Sequence, residues 1–221
     1  MSFLEQKARE VSRPTLESVG RVLARWNISP NGVTYLGLLL TAGVAVLLAF
    51  GYIRWAGLAY IFAAVCDAID GTLARVSGKG SRFGAFLDST IDRYEESIVF
   101  LGLIVYYARI GGQWEIPLLL IVATSSLMVS YTKARAEALA IPCNVGVLTR
   151  PPRVAILIIG LILNQVFIAL VILAVMSLFT SFQRMVFVWQ RSGGEKAGWA
   201  LPPEPYVVPG LALPPDTTDV E

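Results

Sequence analysis

Asp67-Ala68-Ile69-Asp70-Gly71-Thr72-Leu73-Ala74-Arg75 and, beyond a short polar turn, Gly84-Ala85-Phe86-Leu87-Asp88-Ser89-Thr90-Ile91-Asp92 place four carboxylates in largely apolar sequence. The twelve residues before Asp67 carry no charge, and neither does the run Ile98–Ala108 that follows. A carboxylate at membrane depth costs about 2.5–3.5 kcal/mol on insertion scales. Four together need a compensating reason, and bound divalent cations supply the least costly one.

The rest of the chain supports a membrane setting. More than half of its 221 residues are apolar and mean hydropathy is +0.64. Apolar runs recur, each approaching the roughly 20 residues a spanning helix needs once its flanks are included. The sequence predicts six spans, at residues 32–50, 54–76, 83–108, 115–138, 153–163 and 166–189. The fold class expected is an all-α integral membrane bundle; the alternative, a soluble all-α bundle, fits the length of the apolar runs poorly. Basic residues collect before the first span (Lys7, Arg9, Arg13, Arg21, Arg25), between the second and third (Arg75, Lys79, Arg82), between the fourth and fifth (Lys133, Arg135, Arg150, Arg153) and at and beyond the end of the sixth (Arg184, Arg191, Lys196). By the positive-inside rule both termini are cytoplasmic in a multi-pass cell-membrane protein, and the acidic cluster lies at the cytoplasmic end.

Residues 1–28 alternate apolar and charged positions at helical spacing and read as an amphipathic helix lying in the interface. Residues 29–190 form the membrane domain. Residues 191–221, rich in Gly, Pro and acidic side chains, read as a disordered cytoplasmic tail. Cys66 in a span and Cys143 in a cytoplasmic loop are not expected to pair. The chain has no histidine, so acid–base work falls to carboxylates, Lys or Tyr.

Asp67 and Asp70 share a helix face by their spacing, as do Asp88 and Asp92. The turn Ser77–Ser81 would fold the two helices into an antiparallel hairpin that brings the pairs together. Gly71, Ala74 and Gly84 would leave room for close helix approach or for a ligand. Oxygen-only donors suit Mg²⁺, with Mn²⁺ possible, and two ions would balance four carboxylates and clamp a diphosphate. Arg75 could contact a phosphate bidentately. Two other readings remain: a buried salt-bridge network with Arg75, Arg82 and Arg93, and a pathway for transporting divalent cations.

The ten-element pattern Asp67-x2-Asp70-Gly71-x2-Ala74-Arg75-x8-Gly84-x3-Asp88-x3-Asp92 resembles that of the CDP-alcohol phosphotransferases, integral membrane enzymes of phospholipid synthesis, over about residues 28–190. The resemblance implies a CDP-linked lipid donor, usually CDP-diacylglycerol, an alcohol acceptor, release of CMP and a homodimer. It implies that Asp67, Asp70, Asp88 and Asp92 hold the metals, with Asp92 also taking the acceptor proton. It places Gly71, Arg75 and Ser81, with Asn31, Gly32, Val33 and Thr34, against the CDP-diacylglycerol.

For the acceptor, Ser130-Tyr131-Thr132-Lys133-Ala134-Arg135-Ala136-Glu137 and Arg150-Pro151-Pro152-Arg153 look like the members of that family that use inositol phosphate. Ser130, Lys133, Arg135 and Arg153 are then expected to bind the acceptor phosphate. Pro152 departs from the usual Glu and removes a carboxylate that could orient Arg150 or Arg153. Basic residues at these ends are also what the positive-inside rule alone requires. Glu95 and Glu96 read as partners for basic side chains rather than as metal ligands. The expected reaction is transfer of a phosphatidyl group from CDP-diacylglycerol to inositol 1-phosphate. The alternative acceptor is glycerol 3-phosphate, and the non-enzyme alternatives are a divalent-cation transporter and an inert scaffold.

Overall fold

The computed structural model describes residues 18–26 and 28–192. Residues 18–25 are helical (α1). Six longer helices follow: α2 Pro30–Ala49, α3 Ile53–Ser77, α4 Arg82–Ile110, α5 Glu115–Ala138, α6 Arg150–Ile162 and α7 Val166–Arg191. The described residues contain no strand. Most of the expected interfacial helix and nearly all of the expected tail lie outside them.

Local chemistry sets the helix ends. The Ser29 hydroxyl accepts from the Gly32 amide and Pro30 opens α2 with its φ already helical. The Ser81 hydroxyl caps α4 in the same way, accepting from the Gly84 amide. Gly78 closes α3 in the left-handed region at φ 65°, and Gly111 closes α4 at φ 79°.

α2, α3, α5 and α7 are long and apolar enough to cross a membrane, by length and composition. Between 28 and 44% of their most apolar stretches is buried. Leu39, Phe62, Leu120 and Val175 are exposed. Apolar surface turned outward along four helices is the pattern of a membrane protein, for which lipid is the solvent. α4 has 29 residues but carries the acidic cluster in its first half, and α6 has only 13.

Inside, Val44, Leu48, Tyr60, Val99, Leu103, Val122, Leu161 and Leu170 form one core cluster. α2 packs against both α3 and α4; α5 packs against α4 and α7; α6 packs against α3 and α7. Small residues allow the closest crossings. A Cβ at Gly102 of α4 would fall 2.5 Å from the Ala45 carbonyl oxygen of α2.

One expectation fails here. α3 and α4 follow one another through a short turn, yet they do not pack side by side; α2 lies against both. Nothing lies within 4 Å of a Cβ built at Gly71. Gly71 therefore borders open space rather than a tight α3–α4 contact.

Candidate active site

The acidic residues of α3 and α4 face each other across the space that α2 holds open. Asp67 contributes from α3, and Asp92 and Glu95 from the α4 turn opposite. One oxygen of each lies within 4.8 Å of the others. Their common partner comes from a third element. Arg150, the first residue of α6, places Nη1 2.6 Å from Asp67 Oδ2 and 2.5 Å from Asp92 Oδ1, and Nη2 2.6 Å from Glu95 Oε2. The three carboxylates surround this half-buried guanidinium and offset the cost of burying its charge.

The second acidic residue of α3 is tied to α2. The Thr34 hydroxyl donates to Asp70 Oδ2 at 2.7 Å, and the Gly71 amide donates to Asp70 Oδ1 at 2.5 Å. Asp70 is buried while Asp88 is half-buried, and neither joins the group of Asp67, Asp92 and Glu95. The structure thus brings Asp67 and Asp92 together, ties Asp70 to Thr34, and leaves Asp88 one turn from Asp92 on α4.

Gly37 explains how α2 comes this close. A Cβ there would lie 3.2 Å from both Asp67 Oδ1 and Glu95 Oε1. Any side chain would press on two carboxylates at once. At the mouth, a Cβ at Gly84 would meet Asn31 Oδ1 at 3.2 Å, which sets the start of α2 beside the start of α4. Val33 is buried, whereas Gly32, Gly71, Arg75 and Ser81 are exposed around this mouth. Arg75 Nη2 donates to Thr72 Oγ1 at 3.1 Å.

Every donor in the cluster is a carboxylate oxygen, and Glu95 Oε1 is buried with no hydrogen-bond partner among the described residues. Hard oxygen donors converging in this way fit Mg²⁺ or Mn²⁺. Asp67, Asp92 and Glu95 are the carboxylates within reach of a common ion.

The basic residues expected to form an acceptor pocket do not all converge. Lys133 pairs with Glu137 one turn along at 3.7 Å, Arg135 is exposed and Ser130 is half-buried, all near the end of α5. Arg153 is different. It is 3% exposed, and its Nε and Nη2 donate to Glu96 Oε1 and Oε2 at 2.8 and 3.0 Å. This pairing holds the guanidinium in the core and ties the start of α6 to α4. Glu95 and Glu96 do partner basic side chains, as expected. They also supply the orientation that Pro152 cannot give Arg150 and Arg153.

Arg150 was absent from the expected site. Its signal was present as a basic residue three before Arg153, but nothing local links it to Asp67.

The sequence pattern of a family described as CDP-alcohol phosphatidyltransferase matches residues 27–189. An archaetidylinositol phosphate synthase of Pyrococcus horikoshii is 35% identical over 182 residues, 81% of this chain and 93% of that protein. A phosphatidylinositol phosphate synthase of Mycobacteroides abscessus is 36% identical over 188 residues, 80% of this chain and 85% of its own. Among solved structures, the Mycobacterium tuberculosis phosphatidylinositol phosphate synthase with CDP-DAG bound superposes with a TM-score of 0.72 at 31% identity, covering 79% of this chain and 93% of the other. The same enzyme in complex with manganese and citrate gives 0.71 at 32% identity, covering 79% and 88%.

Proposed function

The chain belongs to the CDP-alcohol phosphatidyltransferase family, and from that premise we propose that it transfers a phosphatidyl group from CDP-diacylglycerol to inositol 1-phosphate. The products are CMP and phosphatidylinositol phosphate. The observation that carries this reading is the convergence of Asp67 and Asp92, from the two halves of the family motif, on one group of carboxylates beside α2. Relatives named as archaetidylinositol phosphate and phosphatidylinositol phosphate synthases support the acceptor.

The chemistry follows from the residues. Asp67 and Asp92, which converge, would hold divalent cations together with Asp70 and Asp88 of the same motif, and the ions would neutralise the donor diphosphate and the charge that grows on the departing CMP. Gly71, Arg75 and Ser81 at the mouth, with Asn31, Gly32, Val33 and Thr34 at the start of α2, receive the CDP moiety. Asp92 takes the proton from the acceptor hydroxyl. The hydroxyl oxygen then forms its bond to the lipid-bearing phosphorus, and the bond from that phosphorus to the CMP oxygen breaks, the electron pair leaving with CMP. Ser130, Lys133 and Arg135 hold the acceptor phosphate, while Arg153, paired with Glu96, fixes the start of α6.

This arrangement supports six spans, with α4 and α6 completing the four apolar helices and both termini cytoplasmic. A multi-pass enzyme of the cell membrane, dimeric like its family, has its site at the cytoplasmic end, where a water-soluble acceptor and a bilayer-borne donor can meet.

The test is an acceptor panel. Purified protein with Mg²⁺ and CDP-diacylglycerol is offered inositol 1-phosphate, glycerol 3-phosphate, inositol and serine, and both CMP and the lipid product are measured by mass. Inositol 1-phosphate should be preferred. Preference for glycerol 3-phosphate removes the inositol assignment, and preference for an unphosphorylated acceptor removes the phosphate pocket. Absence of CMP release with every acceptor overturns the enzyme reading.

A further inference from the structure

Two arginines three residues apart at the start of α6 are paired in contrasting ways. Arg153 is closed: both Glu96 oxygens are used, and Arg153 Nη1 also lies 3.5 Å from the Leu148 carbonyl oxygen. Arg150 is open. It spans Asp67, Asp92 and Glu95 with Nη1 and Nη2, while its buried Nε has no hydrogen-bond partner among the described protein atoms. Glu95, 2% exposed, likewise keeps one buried oxygen unpartnered. Permanent buried ion pairs satisfy their donors and acceptors, because each unsatisfied one costs free energy. The backbone around Arg150 is meanwhile anchored. Arg184 Nε donates to the Val145 carbonyl at 2.9 Å, the Leu148 amide donates to Thr180 Oγ1 at 3.1 Å, and Arg153 is fixed on Glu96. Any change of partner is therefore confined to the Arg150 side chain.

We propose that Arg150 is an exchangeable counter-cation of the acidic site, released from Asp67 and Asp92 by an incoming divalent cation and retained beside it by Glu95. The inference rests on the metal reading above. The same two carboxylates cannot give their full charge to a guanidinium and to a metal ion, so the two cations compete. Glu95 decides where the displaced guanidinium stays. Once exchanged, Arg150 Nη1 becomes a free donor next to the reaction centre, suited to a phosphate oxygen. Metal loading and anion binding are then coupled, and the coupling is reciprocal.

The experiment measures Mn²⁺ binding by electron paramagnetic resonance on the detergent-purified full chain without substrates. Arg150→Gln removes the competitor, so the Mn²⁺ Kd should tighten about tenfold, within the ordinary range of coupling between sites. Arg150→Lys keeps the charge but cannot span three carboxylates, and should fall between; it also serves if the glutamine variant does not fold. Glu95→Gln leaves Arg150 to Asp67 and Asp92 alone and should weaken Mn²⁺ about tenfold in the natural background, but about threefold or less beside Arg150→Gln. A direct metal ligand would show its full loss in both backgrounds. Unchanged or weaker Mn²⁺ binding in both Arg150 variants, or equal Glu95→Gln losses in both backgrounds, overturns the exchange. If the unmodified chain binds no Mn²⁺ while Arg150→Gln also binds none, the metal reading itself fails and the exchange falls with it.

Discussion

Glu96→Gln separates the two roles open to Arg153. The substitution keeps volume and shape but removes one charge and one acceptor oxygen. Arg153, 3% exposed and bonded to both Glu96 oxygens, would keep its charge without its counter-ion. Breaking a buried pair by removing one partner typically costs about 3–5 kcal/mol. A chain of this size loses about 2–4 °C of Tm per kcal/mol, so the expected fall is roughly 6–20 °C. The assay is thermal unfolding in detergent, with acceptor KM measured well below the transition. Replacing both partners with apolar residues, Glu96→Leu with Arg153→Met, should recover most of the loss, since a well-packed apolar pair often matches a buried ion pair. Bracing predicts a large fall in Tm, with acceptor KM changing little where the protein remains folded. A Tm within about 2 °C of the natural chain, together with a strongly raised acceptor KM, would refute this reasoning and return Arg153 to the acceptor phosphate.

Asp67→Asn or Asp88→Asn should lower turnover at least about a hundredfold, the scale for losing a key electrostatic stabiliser; near-normal rates at saturating Mg²⁺ would dispose of the metal assignment. Asp92→Asn should lower turnover by about 10²–10⁴-fold while CDP-diacylglycerol binding survives. Measuring the two separately is the check, and a proportionate loss of binding would make Asp92 chiefly a ligand. Arg135→Ala should raise the acceptor KM by the loss of a charge-assisted contact, about 1.5–3 kcal/mol, and leave the CDP-diacylglycerol KM nearly unchanged. Equal shifts in both constants would place Arg135 outside the acceptor pocket.

The helices were readable because their signals are local. Capping residues and left-handed glycines lie within a few positions of the ends they set, and the expected 54–76 and 115–138 became Ile53–Ser77 and Glu115–Ala138. The metal-binding chemistry was readable for the same reason: a period of 3.6 residues already puts Asp67 and Asp70, or Asp88 and Asp92, on one face. The identity of the counter-charge was not. Arg75, Arg82 and Arg93 are near in sequence, but Arg150 reaches Glu95 across 55 positions and Arg153 reaches Glu96 across 57.

By itself, then, the sequence determined the places of six long helices, the oxygen-only character of the acidic motif and the family to which its spacing belongs. Tertiary structure decided that α2 lies against both α3 and α4, that Gly37 lets it approach Asp67 and Glu95, and that one arginine of α6 is buried as a brace while the other bridges the site. The physical reason is range. Helical periodicity is fixed by the backbone within a turn, whereas the pairing of buried charges depends on which distant helices pack together, and that is settled by the fit of whole faces.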